Sequence, residues 1–257
     1  MITRSTLTTT LRRALQDDEA VDAVWEGGSA AFGRDDEFSD IDLYAIVADD
    51  SLHEVFTRVE TALESLSPVT LRVDMPSQPG YEQKFYRLQD ADESLVVDLE
   101  LIRRSDPVLF REVELHGVGC TWFDRSGVLV ESHLDIAADL EKARARVDIL
   151  APQFDMFQHL VLKEIARGHG CDALDFYHEY TLRPLVEALR LLHAPHTRIF
   201  GLRYFSRDLP GPVVTRVEAL AFVGSMSQLR ERHAQASEWG LQCLRRLRAL
   251  GPGAGID

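Results

Sequence analysis

The chain has 257 residues, 45% of them hydrophobic, and carries 28 Lys and Arg against 42 Asp and Glu, a formal net charge of −14. That length accommodates two compact domains or one large one, and the apolar share is that of a globular protein. The acidic balance argues against a basic nucleic-acid surface, and no apolar stretch approaches the length of a membrane span.

Residues 1–18, MITRSTLTTTLRRALQDD, have no apolar core of the signal-peptide kind and read as a first amphipathic helix. Cys120, Cys171 and Cys243 are far apart, odd in number and without a CxxC pair. This pattern implies a reducing cytoplasm and neither disulfides nor structural zinc. Residues 20–26, AVDAVWE, lean towards a strand. A Gly-Gly-Ser turn follows at once, in the run GGSAAFGRDDEFSDIDL of residues 27–43. Bare backbone amides at Gly27, Gly28 and Ser29, leading into a helix start, can hold phosphate oxygens. Arg34 stands close enough behind to neutralise phosphate charge.

Residues 40–47, DIDLYAIV, alternate as a strand does. Asp40, Asp42, Tyr44 and Ile46 share one face, and Ile41, Leu43, Ala45 and Val47 the other. Two aspartates on one strand face can share a hard divalent cation. Residues 52–66 read as a helix, 68–74 as a strand, 76–80 as a Pro/Gly loop and 84–88 as a strand. Residues 94–102, SLVVDLELI, give another strand with Leu95, Val97, Leu99 and Leu101 on one face. Its other face carries Asp98 and Glu100, two acids that are costly in so apolar a strand unless paired or bound to a cation. Residues 120–130 read as a short hairpin turning at 124–127.

The glycine turn, the spacer and the Asp-x-Asp pair resemble the signature of the DNA polymerase β-like nucleotidyltransferase superfamily. The resemblance implies an α+β fold: a mixed sheet with flanking helices over residues 1–132, followed by an α-helical bundle over residues 133–257. It also implies a third metal-binding acid on a neighbouring strand. Asp98 is the choice and Glu100 the alternative. Asp40, Asp42 and Asp98 are thus the expected catalytic residues and ligands of two Mg²⁺ ions. Gly27, Gly28, Ser29 and Arg34 are the expected contacts to an NTP co-substrate.

The second half is helical in pattern, with expected helices at 134–150, 154–166, 171–193, 213–222 and 227–250. Pro184 lies inside the third of these and should kink or restart it. His193 and His196 have a metal-like gap, but Pro195 between them and the lack of a second pair make a loop the better reading. This layout resembles the bacterial antibiotic-type (aminoglycoside and lincosamide) nucleotidyltransferases and their uncharacterised relatives. QKFYRL at 83–88, FYHEYTLRPLVEAL at 176–189 and GLRYFSRDLP at 201–210 share that likeness without an assigned chemistry.

The resemblance implies transfer of an NMP, with AMP expected, from an NTP to a hydroxyl of a small-molecule acceptor bound by the helical half, releasing pyrophosphate. Antibiotic resistance is one role of such enzymes. The acidic field would favour a cationic acceptor. No nucleic acid or membrane partner is expected, and the chain is expected as a monomer or homodimer. A macromolecular acceptor and a non-catalytic nucleotide-binding module are the alternatives. Glu164 and Glu179 are candidate general bases. Lys84 and Lys163, two of only three lysines, are candidate phosphate contacts.

Overall fold

The structure, a computed structural model, describes residues 1–105 and 112–255. The chain divides into two compact units, Met1–Leu134 and Asp135–Asp257.

Helix α1 (Arg4–Gln16) opens the first unit, capped by Thr3, whose hydroxyl accepts from the Thr6 amide. Leu7, Leu11 and Leu15 recur every fourth residue and are fully buried. Each contributes roughly 1.5–3 kcal/mol by leaving water. Strand β1 (Val21–Glu26) and strand β2 (Ile41–Val47) follow, then α2 (Leu52–Glu64), whose buried stripe is Leu52, Val55, Phe56, Val59 and Leu63. Strands β3 (Val69–Asp74), β4 (Tyr81–Leu88) and β5 (Val97–Arg103) come next, then the single turn α3 (Val113–His116) and β6 (Cys120–Asp124).

Among the described residues six strands form one sheet in the order β3-β4-β5-β2-β1-β6. The β2–β5 pair is parallel and every other pair antiparallel, so the sheet is mixed. Helices α1 and α2 cover the face that carries Ile41, Leu43, Ala45, Val97, Leu99 and Leu101. On the opposite face Ala23, Trp25, Ile46 and Ile102 form a small buried cluster among the described residues, and Asp42 and Asp98 lie towards the strand starts.

Two sequence expectations in this unit need correction. Strand β4 begins at Tyr81, three residues before the expected Lys84. The hairpin at 120–130 does not form, since only its first arm is a strand. The Asp124 carboxylate accepts from the amides of Ser126, Gly127, Val128 and Leu129 at 2.8–3.3 Å. Those amides are thereby satisfied without a ladder, which removes the drive for a returning strand.

The second unit is helical: α4 (Ile136–Arg167), α5 (Gly170–Tyr177), α6 (Arg183–His193), α7 (Phe205–Asp208), α8 (Gly211–Ala221) and α9 (Met226–Leu250). The two helices expected at 134–150 and 154–166 are one, running through Pro152. Val147, Leu150, Ala151 and Phe154 are buried on both sides of the proline, so packing holds the helix across the missing hydrogen bond. Phe154 also fits against Gly240 of α9, where a Cβ would lie 2.2 Å from the ring. Pro184 follows a π-helical turn over His178–Leu182, and the backbone stays helical on both sides of it, so the chain continues through 170–193 rather than restarting. His196 pairs with Asp139 at 2.6 Å. Among the described residues all three cysteines are free, and no helix is long and apolar enough to cross a membrane.

Candidate active site

Strand β1 ends at Glu26, which is buried against Arg4 of α1. The chain then turns sharply over the end of β2. The Gly27 amide donates to the Asp42 carbonyl at 2.8 Å. Gly28 has φ +54°, in the left-handed region, and an added Cβ would stand 1.6 Å from Asp42 Oδ2. A Cβ on Gly27 would lie 2.6 Å from the Tyr44 ring. Glycine at both positions is what lets the turn rest directly on the side chains of β2.

The Ser29 hydroxyl is buried and has no hydrogen-bond partner. With the Gly28 and Ser29 amides it puts donor groups at one turn, an arrangement suited to an oxyanion. The expected helix start is a single 3₁₀ turn, Ala30–Phe32, closed by Gly33. The local amides, rather than a helix dipole, supply the positive end. The Arg34 guanidinium lies over the Phe32 ring, 5.5 Å from its centroid. An Asx turn, in which Asp36 accepts from the Phe38 amide and the Ser39 hydroxyl, leads the chain back to Asp40.

Asp40 immediately precedes β2 and is exposed. Asp42 lies opposite Asp98 in the parallel β2–β5 register, and Tyr44 lies opposite Glu100. Asp98 is thus level with Asp42, and Glu100 is one step further along the same face. Gln83 of β4 donates from Nε2 to both Asp98 oxygens, at 2.8 and 3.0 Å. Burial pushes the Asp98 carboxyl up to about 6; the Gln83 hydrogen bonds oppose the rise, and the Asp40 charge adds to it. Burial, followed by repulsion from Asp98, raises Glu100 to about 7, and its Oε1 has no hydrogen-bond partner.

Among the described residues no three carboxylate, imidazole or thiol side chains are gathered into a cation cage. The donor chemistry still fits a hard divalent cation, because Asp40, Asp42 and Asp98 offer only oxygen ligands. The raised Asp98 and the unsatisfied Glu100 oxygen are the marks of negative groups that a positive charge would stabilise.

The structure therefore brings Gly27, Gly28, Ser29, Asp42 and Asp98 together, with Asp40 near enough to act on Asp98. It does not bring Lys84 to them. Lys84 points to the other face, 3.3 Å from Glu60 and over the Phe56 ring. Glu164 and Glu179 belong to the helical unit. Glu164 is buried between His169 at 2.8 Å and Arg167 at 2.6 Å, and these bonds hold it below the usual carboxyl range. Glu179 is exposed and pairs with Arg183 at 3.2 Å. Sequence reasoning missed Gln83, although its phrase QKFYRL stood out; extending the β4 alternation by three residues would have placed it on the acid face.

The sequence matches no family model and no curated protein. Solved structures do align. An aminoglycoside 6-adenyltransferase from Bacillus subtilis is 15% identical, with 95% of this chain and 92% of that chain covered at a TM-score of 0.35. A STING-associated CdnE c-di-GMP synthase from Capnocytophaga granulosa is 12% identical, covering 96% and 81% at a TM-score of 0.32. A CdnE cyclic dinucleotide synthase from Elizabethkingia meningoseptica, solved with GTP and Apcpp, is 13% identical, covering 96% and 90% at a TM-score of 0.24. These likenesses are loose and span nearly the whole chain.

Proposed function

We propose that the protein is a nucleotidyltransferase of the polymerase β-like kind, and that the Met1–Leu134 unit does the chemistry. The observation that carries this reading is the seating of the Gly28 turn on Asp42, itself level with Asp98. It sets a glycine turn, suited to phosphate, beside carboxylates suited to a cation, and handling a nucleoside triphosphate requires both.

In this reading the Gly28 and Ser29 amides and the Ser29 hydroxyl donate to the phosphate oxygens of an NTP, with ATP expected. Asp40, Asp42 and Asp98 would hold Mg²⁺. When bound, the cation would lower the pKa of the acceptor hydroxyl and offset charge on the attacking and leaving oxygens. The acceptor oxygen forms a bond to the α-phosphorus as its proton passes to solvent water. The bond to the bridging oxygen of the β-phosphate breaks, and pyrophosphate departs with the electron pair. Gln83 fixes the Asp98 carboxylate so that it needs no reorientation during the reaction.

A small hydroxylated acceptor suits the chain better than a nucleic acid, since a net charge of −14 repels a polyanion. The same field favours a cationic acceptor of the antibiotic type. Labelled NTPs, Mg²⁺ and a panel of hydroxylated acceptors, cationic and neutral, form the test. Label transfer with matching pyrophosphate release is expected, and its loss in Asp42→Asn. Nucleotide binding without transfer to any acceptor would favour the non-catalytic alternative.

A further inference from the structure

The phrases at 176–189 and 201–210 have no part in the chemistry above, yet they meet in one place. A cavity of about 720 Å³ lies wholly within the Asp135–Asp257 unit. From the first phrase it takes Glu179, Arg183 and Glu187, and from the second Gly201, Leu202 and Arg203, joined by Arg146 and Arg198. Arginines outnumber acids four to two around it, on a chain whose total charge is −14.

The four arginines are not equivalent. Arg146 is committed to Glu187 by two bonds, at 2.5 and 2.8 Å. Arg198 is committed to Asp139, at 2.8 and 3.0 Å. Arg183 has one contact of 3.2 Å to an exposed glutamate and is itself 70% exposed. Arg203 is exposed and has no carboxylate partner among the described residues; its guanidinium lies over the Tyr204 ring and donates to that phenol at 3.0 Å. Two guanidinium forks are therefore available at the cavity.

The wall that carries Arg203 is built rather than loose. Arg190, fully buried, donates to the carbonyls of Gly201 and Arg203, to Thr197 and to Asp208. Tyr204 is held at φ +55°, the one positive φ found outside glycine among the described residues. A buried cation fixing four acceptors and a strained tyrosine is a costly arrangement, of the kind that positions a neighbouring group. Ile199 and Leu202 line the same cavity and are 71% and 49% exposed.

We infer that this cavity binds a small organic oxyanion, a phosphomonoester or carboxylate on an apolar body, with Arg183 and Arg203 holding the anion and Ile199 and Leu202 the body. The volume is that of a small-molecule site. Arginine forks match the paired oxygens of either anion, which a lone ammonium does not. The site shares no residue with the glycine turn and does not depend on the transferase reading.

Calorimetric titration of the full chain tests it, with phenyl phosphate, benzoate, phenol and benzylamine as probes. Saturable binding of phenyl phosphate or benzoate is expected, with whichever binds tighter naming the anion, and weaker binding of phenol and benzylamine. The double variant Arg183→Gln/Arg203→Gln should weaken the anion by roughly tenfold or more, the loss expected of charge-assisted bonds. Both side chains are exposed, and a melting curve close to the parent's will show that the variant folds. Gly28→Ala should leave this binding unchanged, which separates the cavity from the catalytic turn. The inference is overturned if neither anion binds saturably, if the double variant binds as the parent does, if benzylamine binds as well as the anions, or if Gly28→Ala abolishes the signal.

Discussion

Gly28 and Asp42 occupy space that only glycine leaves open: a side chain at position 28 would overlap the carboxylate that the turn rests upon. The contact joins the two halves of the sequence signature, the glycine turn and the aspartate pair, into one structural unit.

Gly28→Ala tests that unit. The new methyl meets Asp42 Oδ2 and also needs a left-handed backbone that costs about 1–2 kcal/mol for a non-glycine residue. Turn and carboxylate must move apart. The apparent dissociation constant for a non-hydrolysable NTP should rise by roughly tenfold or more, with the fold retained by circular dichroism. Unaltered NTP affinity would place the phosphates elsewhere.

Asp98 and Glu100 separate by position. Asp98 is level with Asp42, and Glu100 is one step beyond. Asp98→Ala should abolish transfer, and Glu100→Gln should cost far less. A dead Glu100→Gln beside an active Asp98→Ala would make Glu100 the third acid.

Gln83→Leu removes the two hydrogen bonds that oppose the rise of the Asp98 carboxyl. Asp98 should then hold its proton to a higher pH in the metal-free protein. The pH at which Mg²⁺ binding reaches half its maximum, followed by calorimetry, should move upwards. An unmoved midpoint would show that Gln83 has no hold on Asp98.

The acid face was legible because period-two alternation survives in β2 and β5: Asp42, Asp98 and Glu100 interrupt apolar runs that have no other reason to carry charge, and Asp40 falls in the same phase just before β2. The parallel pairing of those strands, which puts Asp98 level with Asp42, is a matter of register that no local pattern encodes. Gln83 was hidden because Tyr81–Leu88 alternates weakly at its start, after a Pro/Gly loop. The 120–130 hairpin was misread because Asp124 looks like any turn aspartate, whereas four amides converge on it. The cavity beside Arg183 and Arg203 depends on Arg190 reaching across 11 to 18 residues, a contact of tertiary origin.

Two buried groups, one in each unit, should contribute to pH dependence with opposite signs. In the sheet unit Glu100 is raised from 4.5 to about 7, so the folded state holds its proton more tightly than the unfolded state. That stabilisation is complete below about 4.5 and is lost as pH rises through 7. In the helical unit the buried His233 is lowered from 6.5 to about 4 by desolvation. Its Nε2 lies 3.0 Å from Gln158 Oε1, which also accepts from Thr181 and Ser237. Here the unfolded state binds the proton more readily. The contribution of the neutral ring is therefore complete above 6.5 and is lost as pH falls towards 4, at about 1.4 kcal/mol for each pH unit within that window. His233→Gln removes the titration while keeping a donor for Gln158. Melting temperatures of parent and variant, measured without metal from pH 4 to 8, should converge or cross as pH falls below 6.5. Glu100→Gln should instead diverge from the parent in the opposite direction, gaining relative stability as pH rises from 4.5 to 7. A constant difference between His233→Gln and the parent across the whole range would mean that the ring accepts its proton without cost, and that the polar cluster around Gln158 is open to water.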